Sequence, residues 1–482
     1  MNYPPGIQLE MNFDGPKGNR FKEKLNNGVF QLIVEVAPPT ASIPLVDAAA
    51  RFKEIEYIVS AKQEIPAALV FLDKTSPPDN AADPVRFASE LCQTDRDRHL
   101  LCVSGKNRTL SETEKMLGHA ANEGFRNILA VSGGSVPEDT PKKARSRIYT
   151  ESIHILQSIK EKFPDLLNAG CAVNPYCYIP ETVFPQYAKL AKKISAGAAF
   201  AVTQYGWDMH KLQELTWSLN EREVTIPLIA RLQLLTPDKA EEICADKVPG
   251  VRISPDLEVM LRREMTHSLA QFEAAQWRRL QIHAAGARFL GYSGIQISGA
   301  ERPEQVNILL NRIAEALKEF TSFEEWIAAY NDYYARLDMA PYPYRFYKFK
   351  NLLTSASFPE QLEFNPAEMT ELSKTEKFKF NLSQYLLGKA HQIQAAEKRL
   401  TKKILVSCRS CQECRLPLTG FVCPENCPKG FANGPCGSTK VDGRCEMSND
   451  ECIFSKQIRI AAHTGDYATL EETFIPPVAE RK

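Results

Sequence analysis

Between residues 30 and 320 the chain alternates short apolar runs with longer segments in which apolar positions recur every three to four residues. The apolar runs occupy 30–36, 67–73, 99–104, 127–132, 169–174, 199–204, 227–232 and 289–297. Runs with hardly any polar face are expected of strands buried on both sides by helices. The stretches 44–61, 111–123, 185–196 and 237–245 are amphipathic and read as helices. Ser111, with Glu114 three residues on, has the sequence of a capping box. Eight strand–helix units predict an α/β fold, a closed (β/α)8 TIM barrel. An open doubly wound sheet is the other architecture with this alternation. No apolar run is followed by G-x-G-x-x-G, so nothing points to a Rossmann domain.

A barrel of this kind carries its chemistry at the C-terminal ends of its strands. Those ends read as Glu35, Asp73, His99, the turn Ser132-Gly133-Gly134, Asn174, Gln204 and Arg231, with Trp207 and Asp208 just past the sixth run. The alternative for each is a helix cap. Glu35 follows Leu32-Ile33-Val34 and precedes Pro38-Pro39, so its carboxyl group sits on a stiff element at the catalytic face.

Beyond the barrel, residues 321–404 form an aromatic and helical connector, and 405–482 a cysteine-rich domain; residues 1–29 precede the barrel as an extension. The connector begins with Phe323, Trp326, Tyr330, Tyr333, Tyr334, Tyr342, Tyr344, Phe346, Tyr347 and Phe349. Interleaved Arg345, Lys348 and Lys350 give it the look of a nucleic-acid platform. Packing against the barrel or the cysteine-rich domain is the better reading, because the charge is only local. Residues 354–366 read as a loop and 368–403 as helix.

Eight of the 13 cysteines fall between Cys408 and Cys452: Cys408, Cys411, Cys414, Cys423, Cys427, Cys436, Cys445 and Cys452. Closely spaced thiolates on a Gly/Pro-rich loop can wrap a metal centre without regular structure, and eight suffice for two four-cysteine sites. C-x2-C-x2-C followed by Cys-Pro points to iron–sulfur clusters, with two 4Fe-4S centres as the expectation; zinc is the alternative. The charge balance excludes a global attraction to nucleic acid or membrane, since 59 basic residues meet 59 acidic ones. No apolar run is long enough for a transmembrane helix. Residues 1–27 carry no apolar signal core, so the expectation is a cytoplasmic protein with reduced thiols. Homo-oligomerisation is left open.

Both halves resemble a known system. The barrel is similar to methylenetetrahydrofolate reductase at Val34-Glu35-Val36-Ala37-Pro38-Pro39, His99-Leu100-Leu101-Cys102, Asn127-Ile128-Leu129-Ala130-Val131-Ser132-Gly133, Lys193-Ile194-Ser195-Ala196-Gly197-Ala198 and Thr203-Gln204-Tyr205-Gly206-Trp207-Asp208. The tail resembles the cysteine-rich C-terminal domain fused to, or partnered with, such reductases, at Cys408-Arg409-Ser410-Cys411, Cys423-Pro424-Glu425-Asn426-Cys427-Pro428-Lys429, Asn433-Gly434-Pro435-Cys436-Gly437 and Cys445-Glu446. The resemblance implies a flavin (FAD or FMN) and a folate substrate. It implies Glu35 as the general acid that protonates the folate nitrogen, with its pKa raised by burial. It implies Gln204 against the pterin, with Asp73 as a further substrate contact. Flavin contacts would come from His99, Ser132, Gly133, Gly134, Tyr149, Asn174 and Lys193, the last lending charge to the flavin phosphates.

One position departs from the family. After the strand-four glycine the family usually carries an aspartate near the flavin ring; here Gly134 stands there, and Ser132 replaces the preceding arginine. Losing that negative charge shifts the flavin potential upward or changes the substrate. Eight thiolates in the same chain make sense if electrons arrive singly from a redox partner protein. The reading is therefore a flavin-dependent methylenetetrahydrofolate reductase fed through iron–sulfur clusters. A tetrahydrofolate-dependent methyl-transfer enzyme and a non-catalytic, metal-stapled assembly subunit are the alternatives.

Overall fold

The computed structural model describes residues 18–61, 64–76, 80–134, 140–387, 399–409, 411 and 414–477. Residues 1–17 of the expected N-terminal extension lie outside the described residues. Strands β1 (Gln31–Val36), β2 (Ala67–Phe71), β3 (Leu100–Ser104), β4 (Asn127–Val131), β5 (Asn168–Val173), β6 (Phe200–Thr203), β7 (Leu228–Gln233) and β8 (Gly294–Ser298) pair in sequence order, all parallel. β8 returns to pair with β1, with Ile33 opposite Gln296, and closes the barrel. The (β/α)8 expectation holds, and the open sheet is excluded.

The helices of the barrel region are α1 (Arg20–Asn26), α2 (Leu45–Ser60), α3 (Pro84–Leu91), α4 (Leu110–Asn122), α5 (Pro141–Arg145), α6 (Ser152–Lys162), α7 (Pro180–Ser195), α8 (Met209–Glu221), α9 (Pro237–Cys244), α10 (Pro255–His267), α11 (Leu269–Phe289) and α12 (Pro303–Glu319). The connector and tail add α13 (Phe323–Ala335), α14 (Lys374–Leu387), α15 (Arg399–Val406), α16 (Ile453–Thr464) and α17 (Ala468–Glu471). No helix among the described residues is long and apolar enough to cross a membrane.

Two details of the sequence reading change. The run 289–297 is not one strand: Phe289 ends α11, and β8 starts only at Gly294. A short apolar run does not distinguish a buried helix end from a strand. The capping box lies two residues earlier than Ser111 and Glu114. Thr109 accepts from the Glu112 N–H at 3.2 Å, and the Glu112 carboxylate accepts from the Thr109 N–H at 2.8 Å. Ser111 is already inside α4, and Glu114 instead accepts from the Ser158 hydroxyl at 2.8 Å.

Strand parity divides the core. Ile33, Ala68, Val70, Leu100, Cys102, Leu129, Phe200, Val202 and Ile229 fill the interior, and Phe21 and Leu25 of α1 join them. The opposite parity, including Leu32, Val34, Val36, Leu69, Leu228 and Ala230, packs outward under the helices. Hydrophobic residues on both faces are what the parallel barrel requires.

The aromatic connector packs into the helix layer. Phe323, Trp326, Tyr330, Tyr334, Phe346, Tyr347 and Phe349 join the main core cluster. Its anchor is a polar face of α8. Glu214 and Lys211 are both fully buried and pair at 2.9 Å. Glu214 also accepts from the Tyr187 hydroxyl at 2.8 Å and the Lys348 backbone N–H at 2.6 Å. Gln213 binds Ser355 O at 2.6 Å and accepts from the Leu353 N–H at 2.5 Å.

Removing one partner of such a pair strands a buried charge. Glu214→Leu should therefore cost about 3–5 kcal/mol of stability. Much of that loss should return in Glu214→Leu/Lys211→Met, where no unpaired ammonium remains. Urea unfolding of the two variants checks this; equal losses in both would show that the packing, not the charge, matters.

Candidate active site

Glu35 follows Ile33 by two on β1, Arg231 follows Ile229 by two on β7, and Gln204 follows Val202 by two just past β6. Period two therefore aims all three side chains at the axis, above the interior apolar layer. Gln296 on β8 is register partner to both Ile33 and Arg231, so three adjacent strands supply one cluster. The Arg231 guanidinium donates through Nη2 to Glu35 Oε2 at 2.8 Å and through Nε to Glu35 Oε1. Its Nη1 donates to Gln204 Oε1 at 3.1 Å, and its face lies 5.0 Å from the Tyr205 ring centroid. Gln296 Nε2 donates to Glu35 Oε1 at 2.6 Å.

This arrangement corrects the expected acidity of Glu35. Burial does push its carboxyl upward, but the Arg231 charge and hydrogen bonds from Arg231, Gln296 and Ser298 outweigh it. The pKa is lowered below the ordinary carboxylate value, and Glu35 is an anion at neutral pH. Arg231 was among the strand-end candidates but without its contact to Glu35, and Gln296 was not singled out. A signal existed for Gln296, which is the one polar residue inside the apolar run Gly294-Ile295-Gln296-Ile297.

Above the cluster opens a cavity of about 980 Å³. Gln204, Arg231, Gln296, Asp73, Ser132, Gly133, Gly134, Asn174 and Lys193 line it. Asp73 accepts from the Ser104 N–H at 2.9 Å and is bridged by Arg108, so its carboxylate is held by the barrel itself. Ser132 accepts from the Ser152 N–H at 2.9 Å. Gly133 has φ +86°, and a Cβ there would lie 2.5 Å from Lys106 Cβ, so only glycine fits the turn. Gly134 faces open space where a Cβ would meet nothing. Lys193 donates to Ala172 O at 2.6 Å, and burial lowers its pKa to about 8. Nine Lys and Arg side chains line the cavity against four Asp and Glu, which suits an anionic ligand.

Two expected flavin contacts lie elsewhere. His99 precedes β3 instead of ending it, and so sits at the opposite mouth of the barrel, where Asn127 Nδ2 donates to its carbonyl at 3.2 Å. His99 is the first residue of the third run, not its last, so it belongs to the N-terminal end of the strand. Its Nδ1 accepts from the Leu69 N–H at 3.0 Å, and burial lowers its pKa to about 3. The neutral ring therefore carries its proton on Nε2, 3.9 Å from Glu56 Oε1. Glu56, Cys92 and His99 have their ligand atoms within 4.8 Å of one another, but a protonated ring nitrogen cannot bind a metal. Tyr149 packs edge-on against Phe431 of the tail at 5.8 Å and does not line the cavity.

The cysteine-rich tail closes one side of that cavity. Pro435, Cys436, Gly437, Ser438, Lys440, Glu446 and Met447 contribute to its wall. Buried barrel side chains fix this loop. Lys189 Nζ donates to Gly434 O at 2.8 Å and Pro435 O at 3.0 Å, and Glu151 accepts from the Ala432 N–H at 2.9 Å. Asn174 Nδ2 donates to Gly437 O at 2.5 Å and Gly250 O at 2.9 Å. A side chain at Gly250, φ +77°, would put its Cβ 2.6 Å from Gly437 O. Asn174 thus lines the cavity but spends its amide on the tail, a use that no local sequence signal revealed.

The eight thiols sort into two sets. Cys411 and Cys423 lie within reach of the charge of Cys408, and Cys411 of Cys414 as well. Cys427, Cys445 and Cys452 lie within reach of Cys436. Burial raises the Cys423 thiol to about 11 and Cys427 to about 12, so thiolates form there only with a cation present. No three of these sulfurs lie within 4.8 Å of one another among the described residues.

Polar groups gathered at the C-terminal mouth of a closed parallel barrel are the layout of a TIM-barrel enzyme. The sequence model of methylenetetrahydrofolate reductase matches residues 20–261, half of the chain, and that of the methylene-tetrahydrofolate reductase C terminal matches residues 388–480. The chain belongs to the methylenetetrahydrofolate reductase family and is an oxidoreductase of that type. No curated protein matches it. Among solved structures, an uncharacterized protein from Clostridium thermocellum that binds two copies of 5-methyl-5,6,7,8-tetrahydrofolic acid is similar at 14% identity and a TM-score of 0.45, over 62% of this chain and 99% of that one.

The Glu35–Arg231 pair has a defined pH signature. In the parent protein the lowered carboxyl pKa contributes stability that is complete above the ordinary value of 4.5 and lost as pH falls through the folded-state value. In Arg231→Met, burial dominates and the carboxyl pKa rises above 4.5. The variant should lose about 3–5 kcal/mol at pH 7.5. Because its anion is the costly form, the deficit should shrink at pH 5.5. Denaturant midpoints at the two pH values check this; a deficit that does not change with pH would show that Glu35 is not what Arg231 neutralises.

Proposed function

We propose that this protein reduces methylenetetrahydrofolate to methyltetrahydrofolate with electrons that enter through iron–sulfur clusters in the cysteine-rich tail. One observation carries the reading: Cys436 of the second thiol set and the barrel residues Gln204 and Arg231 line the same cavity. A redox centre in the tail would therefore face the reacting ligand directly. The C-x2-C-x2-C spacing from Cys408 and the Cys-Pro steps at Cys423 and Cys427 favour clusters over zinc.

A flavin in this cavity would supply the step between one-electron clusters and a two-electron substrate reduction. The cavity's volume and cationic lining favour a flavin with its phosphates, with Lys106 and Lys193 on the wall and open space at Gly134. The missing carboxylate at Gly134 leaves the site more positive than an aspartate there would, which favours the reduced, electron-rich state of a bound ring.

The folate is read by Gln204, whose Oε1 already accepts from Arg231 and from the Tyr205 N–H at 3.0 Å, leaving its NH2 for a pterin oxygen. Glu35 remains the proton source for the departing folate nitrogen. It does not line the cavity; Arg231 stands in front of it. It becomes an acid only once a bound ligand draws Arg231 away, because burial then raises its pKa. The anionic Glu35 also favours a second reading, methyl transfer from a tetrahydrofolate, in which no ring-opening proton is needed.

Iron and labile sulfide should co-purify with anaerobically prepared protein and approach two 4Fe-4S clusters per chain. A low-potential one-electron donor should reduce it readily, and NADH or NADPH alone poorly. Stoichiometric zinc without sulfide, or fast reduction by a nicotinamide, would overturn the electron route.

Glu35→Gln should leave any flavin bound and reducible while turnover of methylenetetrahydrofolate falls ~100-fold or more, the scale of losing a general acid. Near-normal turnover, with chemistry confirmed as the slow step, would make Glu35 structural and put methyl transfer first.

A further inference from the structure

A second cavity, of about 380 Å³, lies beside the first, with Arg252 in the wall of both, between the β6–α8 loop, α10, α13 and the aromatic connector. Its volume is within the range of small-molecule sites, roughly 300–1,000 Å³. Tyr178, Trp207, Asp208, Tyr330, Tyr342 and Tyr344 line it. Tyr178 and Tyr344 stack at 3.5 Å, and Tyr342 lies 4.3 Å from the His210 ring. Tyr342 is 45% exposed and stands at the entrance. The folate chemistry makes no use of these residues.

We propose that this cavity binds a small quaternary ammonium compound. Aromatic faces are electron-rich and attract a cation that water hydrates weakly. The one carboxylate among them, Asp208, is buried, and its side chain is only 8% exposed. It accepts from the His210 N–H at 3.1 Å and the Tyr347 hydroxyl at 2.8 Å, and His210 Nδ1 faces it at 3.1 Å. Burial alone would raise its pKa, but His210, Tyr347 and Lys211 together hold it below the ordinary value, so the acid is an anion.

One of these rings, Tyr178, and the neighbouring Tyr347 already lie beside an ammonium, that of Lys211, which is paired with Glu214. Lys211 Nζ lies 5.1 Å from the Tyr178 centroid and 4.9 Å from that of Tyr347. Arg252 also reaches the cavity wall, but its guanidinium is spent elsewhere. It donates to Thr439 O at 2.7 Å and Val251 O at 2.8 Å and pairs with Asp246 at 3.3 Å. An anionic ligand would therefore meet a buried carboxylate, and the one other basic side chain in the wall, His210, is already turned to that carboxylate at 3.1 Å. A neutral ligand would forgo the ring faces and the Asp208 charge.

The test uses the full chain, choline as the probe, and its uncharged carbon isostere 3,3-dimethylbutan-1-ol. Isothermal titration and tryptophan fluorescence, which reports on Trp207 in the wall, should show saturable choline binding at matched ionic strength. The isostere should bind at least ~10-fold more weakly, and Tyr342→Ala should weaken choline binding by a similar factor. Asp208→Asn should weaken it further. Asp208 caps α8, so thermal melting accompanies that variant. Should it fail to fold, Tyr342→Ala, at a half-exposed position, decides alone. No saturable binding up to about 100 mM, equal affinity for the isostere, or unchanged affinity in Tyr342→Ala would each overturn the proposal. Flavin content and folate turnover are read separately, so failure of the reductase reading does not alter this outcome.

Discussion

Closure of the sheet through β8 and β1 is the constraint on which the site depends. It makes β7, β8 and β1 neighbours although the residues they bring together are far apart in the chain: Arg231 and Glu35 are 196 positions apart, and Gln296 and Glu35 are 261 apart. The strand period then aims one polar side chain from each toward the axis. Three groups that would repel or desolvate one another singly become a satisfied network: an anion, a guanidinium and an amide. Without closure, Glu35 would be a carboxylate buried without a counter-charge, and its acidity would be that of an isolated acid in an apolar site.

The second constraint is the way the tail is held. Its loop at 432–437 is bound mostly through backbone groups, by Glu151, Lys189 and Asn174 from the barrel. Backbone recognition by buried charged and amide side chains fixes position tightly, because each unpaired group would carry its full desolvation cost. The consequence is chemical. A thiol of the second set becomes part of the wall of the barrel cavity, so tail and barrel share one site instead of being tethered neighbours. The connector serves the same end from the outside, clamped by Glu214, Lys211 and Gln213 on α8.

Much of this was legible in the sequence, and the failures have physical causes. Two-sided apolar runs alternating with amphipathic segments announced a closed parallel barrel, because only strands covered on both faces lose their polar parity. The spacing of the eight cysteines led to the expectation of a metal module, and the thiols do sort into two sets of four. Strand-end reading found Glu35, Asp73, Asn174 and Gln204 at the cavity end of the barrel. It misplaced His99 by taking the first residue of the third run for its C-terminal end, and the two ends of a barrel strand face opposite mouths. It gave Glu35 a raised pKa because burial could be inferred from its neighbours in sequence, whereas the Arg231 contact could not.

The sequence by itself determined the barrel, the inward parity of its polar strand residues and the thiol count, since periodicity and spacing are local properties. Only the tertiary structure decided which of those groups meet. It showed Arg231 in front of Glu35, Asn174 spent on the tail, Cys436 in the wall, and the connector's tyrosines around Asp208. Each is a contact between segments far apart in the chain, and its charge balance depends on distances of a few ångströms that no local pattern encodes.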